Sequence, residues 1–164
     1  MGTFARRGYY GTTTSEVARR AGISQAYVYR LFPDKQTLFI AVVEHSFGRI
    51  RAVFDAGAAR CDGGTPQEVL GALSAAYADL IADRDVLLMQ LHAQCAAVSE
   101  PAFRSVVRAG YAELVEHVQE LSGATDNDVQ QFFTRGAMCH LVVAVDAIDD
   151  DTPWARLLAD GFTH

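Results

Sequence analysis

Residues 13–35 read TTSEVARRAGISQAYVYRLFPDK, and the way helix ends are written into this stretch decides the fold. Thr13 with Glu16 forms a capping box, in which hydroxyl and carboxylate each satisfy a backbone N–H that the first turn leaves free. It opens a short helix through Val17, Ala18 and Ala21 that Gly22 stops, because glycine takes the left-handed end conformation at no steric cost. Ser24 caps a second helix, with Val28, Leu31 and Phe32 spaced to bury against the first, and Pro33 ends it. Two short helices parted by Gly22-Ile23 have helix-turn-helix spacing. The face turned outward holds Gln25, Ala26, Tyr29 and Arg30, which suits a major groove. Glutamine pairs with adenine, alanine touches a thymine methyl, and tyrosine and arginine reach phosphates or guanine.

Outward from this pair the punctuation continues and predicts an all-α chain. Asp34 starts a long helix through Leu38, Val42, Phe47, Ile50 and Phe54 to about Arg60. Thr65-Pro66-Gln67-Glu68 is a second capping box, with proline at the first helical position, opening a helix to Ile81. Further helices are predicted over 85–98, from Pro101 to a stop at Gly123, and over 125–148, with a last short one from Thr152-Pro153. No strand pattern or internal repeat competes, and 61–64 is the loosest junction.

The chain has 164 residues, half of them hydrophobic and 21% charged, enough apolar material for a core and unlike a disordered tail. No apolar run nears the roughly 18 residues of a membrane span and no signal peptide opens the chain, so a cytoplasmic protein without membrane contact is expected. Cys61, Cys95 and Cys139, odd in number and widely spaced, fit reduced thiols. The net charge of −6 is unevenly spread. Residues 1–51 hold eight basic side chains against three acidic ones, and the remaining 113 residues hold six against 17. A basic head (1–51, a helix-turn-helix domain with the start of a connecting helix) on an acidic helical body (52–164, for effector binding and dimerisation) is the division this asymmetry suggests.

Phe4, Gly8-Tyr9, Thr13-Thr14, Val17-Ala18, Ala21-Gly22-Ile23-Ser24, Tyr29, Phe32, Lys35 and Leu38 resemble, in register, the amino-terminal signature of the TetR family of transcriptional regulators. The resemblance covers about 35 residues of the head. It implies that Thr14 contacts a phosphate, that Gln25, Ala26 and Tyr27 face bases, and that Tyr29 and Lys35 hold the DNA backbone on either side. Leu31 stands where many members have histidine, a change of packing more than of DNA contact. A first helix in this family runs well upstream of the Phe4 to Tyr9 segment, so part of it is expected to precede Met1. The resemblance further implies that the last two helices pair with their copies as a four-helix bundle. That fits the apolar surplus of 132–148 and of Trp154, Leu157 and Phe162, for which internal burial is the competing reading. The interface is expected at Leu141, Val142, Val145 and Trp154.

Catalytic signatures are missing: there is no phosphate loop, nucleophile elbow or zinc motif, so neither an enzyme nor a cofactor is expected. His92 with Cys95 and Cys139 with His140 could assemble a metal or thiol site, yet such residues on apolar faces more often line a core or pocket, and no metal site is predicted. Asp149-Asp150-Asp151 reads as a solvated turn. The helix from Val86 to Val98 mixes Leu88, Met89, Leu91 and Cys95 with Gln90, His92 and Gln94, a composition suited to a ligand cavity. Tyr77, Leu88, Met89, His92, Phe103, Val107, Tyr111 and Phe133 are its expected lining, and a neutral or weakly anionic hydrophobic effector its expected occupant, with packed core as the alternative for each residue. The expected function is a homodimeric, ligand-responsive repressor that binds a palindromic operator in double-stranded DNA. The alternative is a helical ligand-binding or carrier protein without a DNA function.

Overall fold

The computed structural model describes residues 1–61 and 63–160. Nine α-helices follow one another among these residues: α1 (Gly2–Gly11), α2 (Thr14–Ala21), α3 (Gln25–Leu31), α4 (Lys35–Ala58), α5 (Pro66–Ile81), α6 (Arg84–Ser99), α7 (Pro101–Ser122), α8 (Asp126–Ala144) and α9 (Pro153–Ala159), with a 3₁₀ turn at Ala147–Asp149. No described helix is long and apolar enough to cross a membrane. Thr13, Ser24, Asp34, Thr65 and Thr125 each cap a helix through the side chain, whereas Thr152 makes no side-chain cap bond at the start of α9. Both reciprocal capping boxes form, at Thr13/Glu16 and Thr65/Glu68. Gly22 and Gly123 close α2 and α7 in the left-handed conformation.

Head and body share one core. Phe4, Ala5, Ala18, Val28, Leu38, Phe39 and Val43 pack together with Met89, Ala93, Ala96, Ala97, Phe103 and Val107 of α6 and α7. Alanines at 93, 96 and 97 leave α6 smooth on this side, so α1 lies close along it. The seam ends in an aromatic cluster, where Phe39 sits edge-on to Phe4 and Phe103 at centroid distances of 5.1 and 4.8 Å and Tyr9 caps Phe103 at 4.6 Å. A second core forms further along α4, from Ile50 and Phe54 with residues of α5, α6, α7 and α8. The 51/52 division of the sequence reading falls inside α4.

Two expectations need correction here. The helix predicted over 125–148 ends at Ala144: Asp146 turns the chain with φ 54°, its carboxylate 2.7 Å from Arg84, before the 3₁₀ turn. Val142, expected at a subunit interface, is 0% exposed within the chain, packed with Ala147, Ala155 and Ala159 in a third small core. The 145–149 turn folds α9 back over it and hides the side of α8 that a straight helix would present. Phe162, expected beside Trp154 and Leu157, lies outside the described residues.

Gly8 breaks α1 with φ 64° and ψ −174°, a conformation open essentially to glycine alone, and a Cβ there would stand 2.7 Å from Nδ1 of His92 on α6. Gly8→Ala is therefore expected to cost about 1–3 kcal/mol from backbone strain alone. Gly48→Ala, at a helical position of α4 with nothing within 4 Å, is expected to be neutral or to stabilise by up to about 1 kcal/mol. Urea denaturation of the two variants side by side reads the difference, and equal midpoints would refute the account of the kink.

Candidate DNA-contact surface and ligand cavity

The outward face of α3 is held from beneath by one hydroxyl. Thr14 is only 6% exposed; its Oγ1 accepts from Gln25 Nε2 at 3.0 Å and shares a hydrogen bond of 3.0 Å with the Tyr29 hydroxyl. Gln25 and Tyr29 are thus fixed at the exposed edge of the pair, while Ala26, Tyr27 and Arg30 face solvent between them. The Arg30 guanidinium lies over the Tyr27 ring, 5.5 Å from its centroid. Lys35 is less free than its sequence context suggests. Its ammonium donates to the carbonyls of Tyr9 and Thr12 at 3.0 and 3.1 Å and sits over the Tyr9 ring, tying the α1–α2 junction to the start of α4. Leu31 departs from its expected burial: Val28 is buried and Phe32 half-buried, but Leu31 is 52% exposed.

The body holds a cavity of about 690 Å³ bounded by α4, α5, α6, α7 and α8. Its wall is mostly apolar, with Ile50, Phe54, Leu91, Leu114, Phe132 and Phe133, and it reaches the surface past exposed residues of α5 and α8 such as Ser74, Ala137 and Ala144. Polar groups cluster in two places. The Tyr77 hydroxyl donates to Gln90 Oε1 at 3.1 Å and meets His140 Nε2, and Gln94 Nε2 donates to the Tyr111 hydroxyl at 2.5 Å. Burial pushes both tyrosines and the Cys139 thiol up, and lowers the pKa of His140 so that its imidazole stays neutral.

Of the eight expected lining residues, the structure places Tyr77, Tyr111 and Phe133 on this wall. Met89, Phe103 and Val107 are buried in the core shared with the head, His92 stands against Gly8, and Leu88 packs between the two cores, so these five are corrected. The reason is helical phase. The alanine side of α6 carries Met89 toward α1, which turns Gln90, Leu91 and Gln94 to the cavity. His92 and His140 therefore lie at different places, and no group of His, Cys, Asp or Glu among the described residues could hold a metal. Gln90 and Gln94, already marked by the cavity-suited composition of 86–98 but outside the eight, line it together with His140, which the sequence reading did not place there. The signal for them was the Ala93, Ala96, Ala97 stripe, which marks the opposite face as the tightly packed one.

A helix-turn-helix head whose outward face is held by side-chain hydrogen bonds thus stands on a helical body that encloses a cavity. Residues 1–42 match the family model for bacterial regulatory proteins of the tetR family. Over 67 residues the chain is 39% identical to the HTH-type transcriptional regulator BetI of Rhizobium meliloti (strain 1021); the matched stretch is 41% of this chain and 32% of that protein. The chain thus spans about a third of the length of the curated relative it matches. A crystal structure from Rhodococcus sp., described as a TetR-family transcriptional regulator, shares the fold at a TM-score of 0.62 and 22% identity, over 86% of this chain and 79% of that one. The similarity to the tetR family therefore lies in the amino-terminal head, residues 1–42.

The Tyr77 hydroxyl joins α5 to α6 and α8, so Tyr77→Phe is expected to destabilise by about 1–3 kcal/mol, leaving Gln90 and His140 without their shared partner. His140 adds a pH dependence. Its folded pKa lies below the ordinary 6.5, so the unfolded chain takes up the proton first; the stability it confers is present above 6.5 and drains away as pH falls below that value. The loss of melting temperature from pH 7 to pH 5 should be smaller in His140→Gln than in the wild type, and parallel curves would exclude His140 as a source.

Proposed function

We propose that the chain is a ligand-responsive repressor that works in the cytoplasm and binds a palindromic operator as a homodimer. The observation that carries the DNA half is the locked outward face of α3. Gln25, Ala26 and Tyr27 would read base edges, Tyr29, Arg30 and Lys35 would hold phosphates, and Thr14 would set Gln25 and Tyr29 in register as well as meet the backbone near the start of α2. The basic head favours this: Arg6, Arg19 and Arg30 have no acidic partner among the described residues, whereas Arg7 and Arg20 pair with Glu16 and Asp85.

For the other half, a cavity of about 690 Å³ is of the size that takes small molecules. A ligand there shifts DNA affinity only by the difference in its affinity for the two head spacings, on the order of 1–3 kcal/mol. Dimerisation is supported by an apolar surface that one chain leaves uncovered: Leu141, Val145, Ile148, Trp154 and Leu157 are all exposed on α8, α9 and the turn between them. The carrier reading rests on the same cavity and predicts no DNA affinity.

Affinity for the DNA upstream of its own gene, measured by fluorescence anisotropy across salt concentrations, should fall with a slope of about −0.9 in log–log form per phosphate contacted. Arg30→Ala should weaken all sequences alike and reduce that slope by about 1. Gln25→Ala should instead relax preference at one base step by about 1–3 kcal/mol. Binding that is absent, or indifferent to salt, leaves the carrier reading in possession.

Leu157, 76% exposed and away from the cavity wall, is the position at which to test assembly. Leu157→Arg places a charge where a twofold interface would desolvate it, and should give sedimenting monomers with wild-type helicity and lost operator affinity. A wild-type chain that sediments as a monomer at micromolar concentration would contradict the dimer.

A further inference from the structure

The two tyrosines on the cavity wall are in different hydrogen-bonding states. Tyr77 is closed: its proton goes to Gln90 Oε1 and its oxygen meets His140. Tyr111 is open. Its ring is fixed edge-on against Phe47 of α4 at 5.3 Å, and its oxygen accepts from Gln94 at 2.5 Å, so its own proton remains to be donated and meets no acceptor among the described residues. The seam around it is short of partners as well. Gln90 Nε2 and Ser46 Oγ, both buried and unpartnered, belong to residues that border, with Gln94 and Tyr111, a void of about 10 Å³ behind the cavity wall.

Charge narrows the occupant further. No aspartate or glutamate stands among the residues lining the cavity, so an ammonium group inside would be desolvated without a counter-ion. The one arginine or lysine among them is Arg135, at an exposed position of α8, so a carboxylate would be drawn to that solvent-facing guanidinium. What remains is an apolar body against Ile50, Phe54, Phe132 and Phe133, with an uncharged acceptor at the tyrosine.

We propose that the cavity takes an uncharged, mainly apolar molecule bearing a carbonyl-type hydrogen-bond acceptor, and that the Tyr111 hydroxyl is the group that binds this acceptor. The proposal rests on the reading of the cavity as a ligand site. It is tested with four compounds that share a two-ring skeleton and differ at one position: benzophenone, diphenylmethane, benzhydrol and diphenylacetate, titrated calorimetrically into the full chain. Benzophenone should bind about tenfold more tightly than diphenylmethane, the worth of one buried hydrogen bond to a group otherwise unpartnered. Tyr111→Phe should bring it to the level of diphenylmethane while leaving diphenylmethane unchanged.

The carbonyl stretch of isotopically labelled benzophenone should also move to lower frequency on binding the wild type, a readout that needs no variant to fold. Failure of all four compounds to bind would overturn the ligand reading and the proposal with it. Equal binding of benzophenone and diphenylmethane, or a preference that survives Tyr111→Phe, overturns the proposal alone. So does a preference for benzhydrol over benzophenone that Tyr111→Phe removes, since the tyrosine oxygen and not its proton would then face the ligand. Tightest binding by diphenylacetate, lost in Arg135→Gln, overturns it too by putting the polar end at that guanidinium.

Discussion

The close approach of α1 to the alanine face of α6 is the contact on which the rest of the molecule depends. It requires small side chains at 93, 96 and 97 and a backbone kink at Gly8 against His92, and it fixes the rotation of α6 about its axis. Once that rotation is set, Met89 belongs to the core shared with the head, and Gln90, Leu91 and Gln94 belong to the cavity. One helix is thereby a wall of two compartments. The residues that anchor the head and those that line the proposed ligand site alternate along it at helical spacing, separated by the thickness of a backbone.

The amino-terminal pair shows how little is needed to orient a surface. Thr14 sits at the first position of α2, directly after its cap, and reaches Gln25 and Tyr29 on the next helix with one oxygen. Lys35, at the corresponding position of α4, gathers the carbonyls at the end of α1 and just before α2. The head is thus braced mainly by polar side chains at helix starts, and its exposed face can keep residues chosen for something other than stability.

The legible part of this chain was its punctuation. Helix starts written as Thr-x-x-Glu, Ser24, Asp34 and Thr-Pro, and stops written as Gly22, Pro33 and Gly123, depend on interactions within four residues, and the structure has them where they were read. Phase between distant helices is a different quantity. Leu88, Met89, His92, Phe103 and Val107 are as apolar or aromatic as the true lining, and nothing local distinguishes a residue facing α1 from one facing α8. Val142 went astray for a related reason: a turn with Asp146 in the left-handed conformation folds α9 onto it, and no glycine announces that turn. The alanine stripe was the one feature of α6 from which its packed side could have been inferred.

The 24 residues of α4, roughly 36 Å at 1.5 Å per residue, run without a break from the head into the second core. Head and body therefore have no linker between them, and each contributes to the hydrophobic interior of the other. A transplant of this head onto a foreign body would expose Phe4, Phe39 and the alanine-facing side of α1 along the cut, and would have to bring α6 with it. The portable module is the head together with the helix it leans on, a unit discontinuous in the chain and continuous in space.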